Sequence, residues 1–258
     1  LALVGHQPEA GERLAGGHGA AYSMAMPFSD PAASSNHPAL DEVRARIARS
    51  AALAGRDPRA IELIAVSKTQ PAEAVAPLLA AGQASFGENR VQEAEAKWPA
   101  LVEATDTDIR LHLVGQLQSN KAEAAVALFD AIHSIDRPSL VEALARAVER
   151  TGRRPDCFLQ VNIGEEPQKG GCAIAAVPGL LDQARAAGLP IIGLMAVPPL
   201  ETEAAPYFAL LAKLARDLGL AKLSMGMSSD YETAVMLGAT HVRVGAALFG
   251  ARRVPAEG

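Results

Sequence analysis

The stretch IAVSKTQP (residues 64–71) sets the fold prediction, because an apolar run there ends at a lysine and then meets a proline. Its first residues are typical of a buried strand, whereas a lysine usually lies on a solvated surface. Pro71 has no backbone N–H to donate within a sheet, so the strand must end before it. The stretch therefore predicts a buried strand with Lys68 at its carboxyl end.

Seven further apolar runs follow, and helical patterns rich in Ala, Leu, Glu and Arg separate them. The eight predicted strands are 61–67, 84–88, 111–115, 131–135, 157–163, 191–197, 222–226 and 241–245. Several of the intervening helices are predicted to end in a glycine of left-handed conformation. These glycines are Gly82, Gly152, Gly188, Gly219 and Gly238.

Eight alternating strands and helices are typical of a (β/α)8 barrel. An open doubly wound sheet is the alternative, but no G-x-G-x-x-G motif follows the first strand. We therefore predict the α/β class, with a single (β/α)8 TIM-type barrel over residues 37–258. The amphipathic segment 39–55 predicts an extra N-terminal helix. Residues 1–36, rich in Gly, Ala, Ser and Pro, predict a flexible leader, or an extension upstream of a start at Met24 or Met26.

The composition argues against several classes of function. The net charge is −5 and lysine and arginine form no cluster, so nucleic-acid binding is not expected. No apolar stretch approaches the roughly 20 residues that span a bilayer, and the first residues lack the pattern of a secretion signal. Cys157 and Cys172 form neither a metal-binding spacing nor a disulfide framework. We expect a cytoplasmic monomer that binds no membrane.

The segments after the last two strands predict a phosphate site, since the working face of such a barrel lies at the carboxyl ends of its strands. Ser228 and Ser229 directly precede Asp230 and a helical pattern, so hydroxyl and N–H groups can face an anion there. Gly245 allows close approach of the backbone, and the N–H of Ala246 is expected to be free to donate.

A strand-end lysine and a phosphate site at the same barrel mouth suit one ligand in particular, pyridoxal 5′-phosphate (PLP). A partly desolvated lysine amine can form a Schiff base with the aldehyde of PLP. Arg243, two residues before Gly245, can point inward at the pyridine nitrogen and keep it unprotonated. A different phosphorylated ligand would explain the serines and the glycine but would leave Lys68 without a role.

Seven segments together resemble the pyridoxal-phosphate homeostasis proteins (the YggS/PROSC family). They are AVSKTQP, FGENRVQEA, LHLVGQLQSNK, SIDR, GLMAVPP, SMGMSSDYETA and VRVGAALFGAR. The resemblance covers about residues 38 to 252 and implies a single-domain barrel related to the N-terminal domain of alanine racemase.

The resemblance also implies a set of site residues. Lys68 would carry PLP as an internal aldimine, and Arg243 would lie at the pyridine nitrogen. Ser228, Gly245 and the backbone of Ala246 would hold the phosphate. The remaining matches to pocket-lining positions of the family are Asn89, His112, Met225 and Gly226.

One departure from the family concerns Ala246, because the family usually has Thr or Ser after the glycine of the last strand. The missing hydroxyl removes one hydrogen bond to the phosphate, and such a bond to a charged group is worth about 1.5–3 kcal/mol. We therefore expect weaker binding of PLP rather than none.

Other polar residues in the predicted strands are assigned more modest roles. His112 lies between two leucines, which suits a hydrogen-bonded core histidine and a pocket wall equally well. His133 and His241 are expected to be structural. Glu88 is expected to orient its neighbours rather than act as a general base.

Two classes of function compete: a PLP carrier acting in homeostasis, and a PLP-dependent amino-acid racemase. Racemisation needs a base on each face of the substrate, and in alanine racemases the second base is a tyrosine from a C-terminal β-domain. Only 13 residues follow Gly245, so we expect that domain to be absent. Of the three tyrosines, Tyr22 lies in the leader, Tyr207 in a helix, and Tyr231 is expected in the first turn of a helix. The carrier is favoured, with apo-enzymes as the implied recipients.

A sugar-phosphate enzyme is a third alternative. It would call for paired carboxylates or metal ligands at the strand ends, and the sequence has few there.

Overall fold

The computed structural model describes residues 36–250, in which eight parallel strands pair in chain order and close into a barrel. The strands are β1 (Glu62–Val66), β2 (Ser85–Glu88), β3 (Arg110–Leu113), β4 (Ala131–Ile135), β5 (Asp156–Val161), β6 (Ile191–Ala196), β7 (Lys222–Ser224) and β8 (His241–Val244). The predicted (β/α)8 barrel is confirmed, and every observed strand overlaps its predicted range. The predicted leader lies outside the described residues except for Asn36, and its boundary stays a prediction.

Helices surround the barrel and alternate with its strands. They are α1 (Pro38–Leu53), α2 (Ala72–Ala80), α3 (Val91–Glu103), α4 (Ala122–Leu128), α5 (Pro138–Thr151), α6 (Val177–Ala186), α7 (Ala205–Asp217), α8 (Tyr231–Met236) and α9 (Ala246–Phe249). The extra N-terminal helix is α1, which packs against α8 and α9. All five glycines predicted to end helices have positive φ. None of these helices is both long enough and apolar enough to cross a membrane.

The strands bury both faces, and the two faces differ in chemistry. Leu63 and Ala65 of β1 belong to the hydrophobic core shared with the helices. Glu62 on the same strand lies instead within 3.1 Å of His112 and His241, which are on other strands of the barrel. Because side chains alternate along a strand, the barrel interior receives the second set and holds an unusual number of polar groups.

The pairing of β6 with β7 depends on a glycine. Gly193 pairs with Lys222, and a Cβ at Gly193 would lie only 2.1 Å from the backbone oxygen of Lys222. No real Cβ tolerates such a distance from a backbone atom, so any larger residue would push the two strands apart. A glycine in α6 offers the opposite case, because a Cβ at Gly179 would meet no atom within 4 Å.

Gly193→Ala is predicted to lower the free energy of unfolding by about 1–3 kcal/mol, since the added methyl overpacks the β6–β7 ladder. Gly179→Ala, the matched control, is predicted to raise it by about 0.4–1 kcal/mol, because alanine suits the helix better and restricts the unfolded chain. Urea denaturation followed by circular dichroism measures both. Equal stability of the two variants would contradict the packing argument.

Candidate ligand-binding site

A cavity of about 490 Å³ opens at the carboxyl ends of the strands, within the size range of small-molecule sites. Residues at the ends of six of the eight strands line it. The lining includes six of the nine predicted site residues, namely Lys68, Asn89, Ser228, Arg243, Gly245 and Ala246. The cavity therefore brings the strand-end lysine and the predicted phosphate site to one place.

Lys68 lies in the tight turn between β1 and α2, where its side chain is half-buried. The next residue, Thr69, has a φ of +62°, which is uncommon for a non-glycine residue and marks a constrained turn. Within residues 36–250 the amine of Lys68 has neither a hydrogen-bond nor an ion-pair partner. The turn thus presents an uncommitted primary amine to the cavity.

A buried ion pair behind this turn holds it in place. Lys97 Nζ donates to the backbone oxygens of Ser67, at 2.8 Å, and Gln70, at 3.1 Å, and lies 2.6 Å from Glu88 Oε1. The same carboxylate oxygen accepts hydrogen bonds from the Ser67 hydroxyl and from Trp98 Nε1. Glu88 thus sits between β2 and α3 rather than in the cavity lining, and the expectation that it orients its neighbours fits this geometry.

The sequence analysis missed Lys97. The sequence offers one hint of its role: a carboxylate that ends an apolar strand, such as Glu88, needs a buried cation, and Lys97 follows nine residues later on the next helix.

Ser228 connects the loop after β7 to the start of α9. Its Oγ accepts from the N–H groups of Gly245, at 3.2 Å, and Ala247, at 3.4 Å, which leaves its own proton available for donation. In the described chain, the N–H of Ala246 has no acceptor. Asp230 Oδ1 accepts from Met227 N at 2.6 Å and closes the turn that carries the serine. A hydroxyl and a backbone amide can therefore both donate to an anion here.

Gly245 itself is needed for close packing of the strand ends. A Cβ at this position would lie 3.2 Å from the backbone oxygen of Val66, at the end of β1. The glycine therefore lets the segment after β8 approach the strand that carries Lys68.

Arg243 brings a buried positive charge to the cavity floor. Its guanidinium donates to Ser224 Oγ at 2.6 Å and to the Ala196 backbone oxygen at 2.9 Å. Burial lowers the pKa of Arg243 to about 10, against an opposing attraction from Asp230, so the group stays charged at neutral pH. No carboxylate of residues 36–250 is in ion-pair contact with it. Since a buried cation is costly without acceptors, Arg243 favours a ligand that offers one.

The other three predicted site residues do not line the cavity. His112 is fully buried in the barrel interior, where its Nδ1 lies 3.0 Å from His133 Nε2. Met225 is fully buried in the hydrophobic core. Gly226 has a φ of +92°, and a Cβ there would lie 2.5 Å from the Ala234 side chain. A contact of any of these three residues with a ligand stays a prediction.

The alanine racemase N-terminal domain family matches residues 39–253 of this chain. The match covers the whole barrel and every residue of the cavity described above. The chain belongs to this class of barrel proteins.

Relatives narrow the class. The pyridoxal phosphate homeostasis protein of Pseudomonas aeruginosa is 42% identical over 221 residues, covering 83% of this chain and 94% of the relative. The corresponding protein of Escherichia coli K12 is 39% identical over 226 residues, covering 83% and 95%. The chain therefore belongs to the pyridoxal phosphate homeostasis proteins.

Solved structures agree with this assignment. PipY of Synechococcus elongatus, solved with PLP bound, is 44% identical with a TM-score of 0.69, covering 79% of this chain and 100% of PipY. An alanine racemase of Clostridium difficile 630 has a TM-score of 0.61 at only 13% identity, covering 84% of this chain and 58% of the racemase. That second likeness shows a shared fold alone.

Lys97→Met is predicted to lower the free energy of unfolding by about 3–5 kcal/mol, because it leaves the Glu88 carboxylate buried without its cation. The double variant Glu88→Gln/Lys97→Met should lose less, since no buried charge remains. Lys213→Met removes a lysine from an exposed pair with Asp217 and should change stability by no more than about 1 kcal/mol. Urea denaturation measures the stability of all three variants. If Lys97→Met is no less stable than Glu88→Gln/Lys97→Met, the proposed role of the buried Glu88–Lys97 ion pair is contradicted.

Proposed function

We propose that this protein binds PLP in the cavity, holds it as a Schiff base on Lys68, and acts in PLP homeostasis as a carrier that turns over no substrate. The observation that carries the proposal is the shared cavity of three groups: an uncommitted lysine amine, a hydroxyl–amide anion site and a buried arginine. The names of the relatives and the PLP-bound structure of PipY support it.

Lys68 supplies the covalent step. Its neutral amine adds to the aldehyde carbon of PLP, a C=N bond forms, and the aldehyde oxygen leaves as water. The reaction needs no oxidant or second substrate, and water reverses it. Reversibility suits a protein that stores a reactive aldehyde and releases it unchanged.

The phosphate of PLP is assigned to the loop ends after β7 and β8. The Ser228 hydroxyl and the Ala246 N–H each have a proton to donate there. Because Ser228 Oγ accepts from the N–H groups of Gly245 and Ala247, its hydroxyl lies beside the Ala246 N–H, and both can donate to one anion. Exposure of Ala246 at the cavity rim leaves the phosphate end of the site partly open to water.

Arg243 is assigned to the pyridine nitrogen of PLP. Guanidinium groups donate hydrogen bonds and cannot accept a proton, so the ring nitrogen facing Arg243 would remain an unprotonated acceptor. An unprotonated ring withdraws electrons weakly from a bound amino acid, which makes PLP a poorer catalyst. This arrangement favours holding PLP over transforming a substrate.

An amino-acid racemase is the alternative, and the tyrosines argue against it. Within residues 36–250, no tyrosine lines the cavity. Tyr231 is the first residue of α8 and is only 4% exposed, as expected for a side chain packed in the core. Tyr207 lies in α7 and packs against the same core. Delivery to apo-enzymes that need PLP, and a monomeric state, remain part of the proposal.

Lys68→Ala is predicted to abolish the visible absorbance of the PLP Schiff base, while Lys213→Ala on exposed α7 leaves it unchanged. Borohydride should fix PLP to Lys68 in the unaltered protein, and peptide mass spectrometry identifies the modified lysine. Modification of a different lysine, or none with PLP in excess, would overturn the assignment. Amino-acid turnover by the loaded protein would instead favour the racemase.

Ala246→Ser is predicted to increase PLP affinity about tenfold, because the new hydroxyl adds one hydrogen bond to the charged phosphate. Ala247→Ser is the matched control: it makes the same chemical change one residue further on, outside the cavity lining. Fluorescence titration with PLP measures both. Equal affinities for the two variants would place the phosphate elsewhere.

A further inference from the structure

A series of buried polar contacts crosses the interior of the barrel and ends at Arg243. Glu62 Oε1 lies 3.0 Å from His112 Nε2, and His112 Nδ1 lies 3.0 Å from His133 Nε2. His133 Nδ1 lies 2.8 Å from Ser224 Oγ, which accepts from Arg243 Nη1 at 2.6 Å. These five residues, called the interior chain below, belong to five different strands of the barrel: β1, β3, β4, β7 and β8.

The two ends of the interior chain fix the direction of every hydrogen bond within it. Arginine only donates and an ionised carboxylate only accepts. Ser224 Oγ accepts a hydrogen bond from Arg243, so its own hydroxyl proton is available for a hydrogen bond to His133 Nδ1. His133 then donates from Nε2 to His112 Nδ1. The remaining proton of His112, on Nε2, lies at ion-pair distance from Glu62, without the alignment of a hydrogen bond. Both histidines are neutral and carry their proton on Nε2 in this arrangement.

The opposite direction would require an extra buried charge. If His133 donated to Ser224, His112 would have to donate from both ring nitrogens and become a cation. With Arg243 already charged, the interior would then hold two cations against one carboxylate, which is costly away from water. Burial, reinforced by the positive charge of Arg243, lowers the pKa of His133 well below its ordinary value, so that ring resists taking a second proton.

Other contacts hold the two ends and the middle in place. Glu62 also accepts from the Ser85 hydroxyl at 2.7 Å and lies 3.1 Å from His241 Nε2. Burial acts to raise the pKa of Glu62, but its contacts with the two histidines hold it well below its ordinary value, so Glu62 stays ionised. The ring of His133 stacks on Phe158, with centroids 4.3 Å apart and planes at 22°.

We propose that Glu62, His112, His133 and Ser224 are positioning residues, which act through the interior chain to orient Arg243 toward the cavity. Ser224 and the Ala196 backbone occupy two of the five guanidinium protons, which fixes the plane of the group where it lines the cavity and leaves its other donors for a ligand. That the ligand atom is the pyridine nitrogen rests on the proposed function. The orientation itself is a property of the ligand-free protein.

The direction of the hydrogen bonds in the interior chain is tested first, without PLP. Long-range ¹H–¹⁵N correlation NMR of the histidine-labelled protein at pH 7 distinguishes the two neutral tautomers and the cation. The expected result is a neutral ring protonated on Nε2 for both His112 and His133. A cationic His112, or a proton on Nδ1 of His133, would overturn the proposal whether or not PLP binds.

The effect on the ligand is tested with Ser224→Ala against Ser134→Ala. Ser134 is also fully buried, but its hydroxyl has no hydrogen-bond partner in the described chain, so its loss leaves the interior chain intact. With ¹⁵N-labelled PLP, the ring nitrogen should stay unprotonated at pH 7 in Ser134→Ala and shift toward the protonated value in Ser224→Ala. PLP affinity should fall about tenfold in Ser224→Ala alone.

The outcomes separate the two proposals. Identical ring-nitrogen shifts and affinities in the two serine variants would overturn the positioning role while leaving PLP binding intact. Failure of the unaltered protein to bind PLP would overturn the proposed function. The histidine tautomers would then still show whether the hydrogen bonds of the interior chain run in the proposed direction. If Ser224→Ala does not fold, the histidine tautomers of the unaltered protein still test the proposed direction of the hydrogen bonds in the interior chain.

Discussion

The pairing of β1 with β8 is the constraint on which the rest of the molecule depends. Its register runs from Glu62 opposite His241 to Ala65 opposite Val244, and it turns an open sheet into a closed barrel. The same register brings the turn after β1 beside the segment after β8, so that Lys68 and Gly245 face one cavity although they are far apart in sequence. A slip by one residue would reverse the inward and outward faces of β8 and remove Arg243 from the interior.

The molecule uses buried charge in two different ways. Glu88 and Lys97 neutralise each other within one contact, and the product is a rigid turn. Glu62 and Arg243 lie at opposite ends of the interior chain, and Arg243 lines the cavity. A closed pair serves structure, whereas a separated pair leaves one charge available for a ligand. The two arrangements differ because Glu88 and Lys97 are in direct contact, whereas polar side chains separate Glu62 from Arg243.

The sequence predicts the parts of this protein that depend on local pattern. Strands, helix-ending glycines and the residues just beyond each strand follow from periodicity and from position along the chain, which is why Lys68, Ser228 and Gly245 could be placed before the structure was known. Partners on separate strands could not be predicted, since nothing local links Glu62 to His112, and the only hint of Lys97 is the need of the Glu88 carboxylate for a cation. His112 suited a core position and the pocket wall equally well from the sequence, and both it and Met225 are fully buried, so their contact with a ligand stays a prediction.

Ala246 at the cavity rim bears on how long a ligand stays bound, and not only on how tightly it binds at equilibrium. Differences in affinity between related complexes arise mainly in the dissociation rate, so a phosphate site with one donor fewer shortens the residence of its ligand. In the proposed site, PLP is held covalently at Lys68 and with one donor fewer at its phosphate, so it can leave quickly once the imine is hydrolysed. Under that proposal, Ala246 shortens the time for which PLP stays bound.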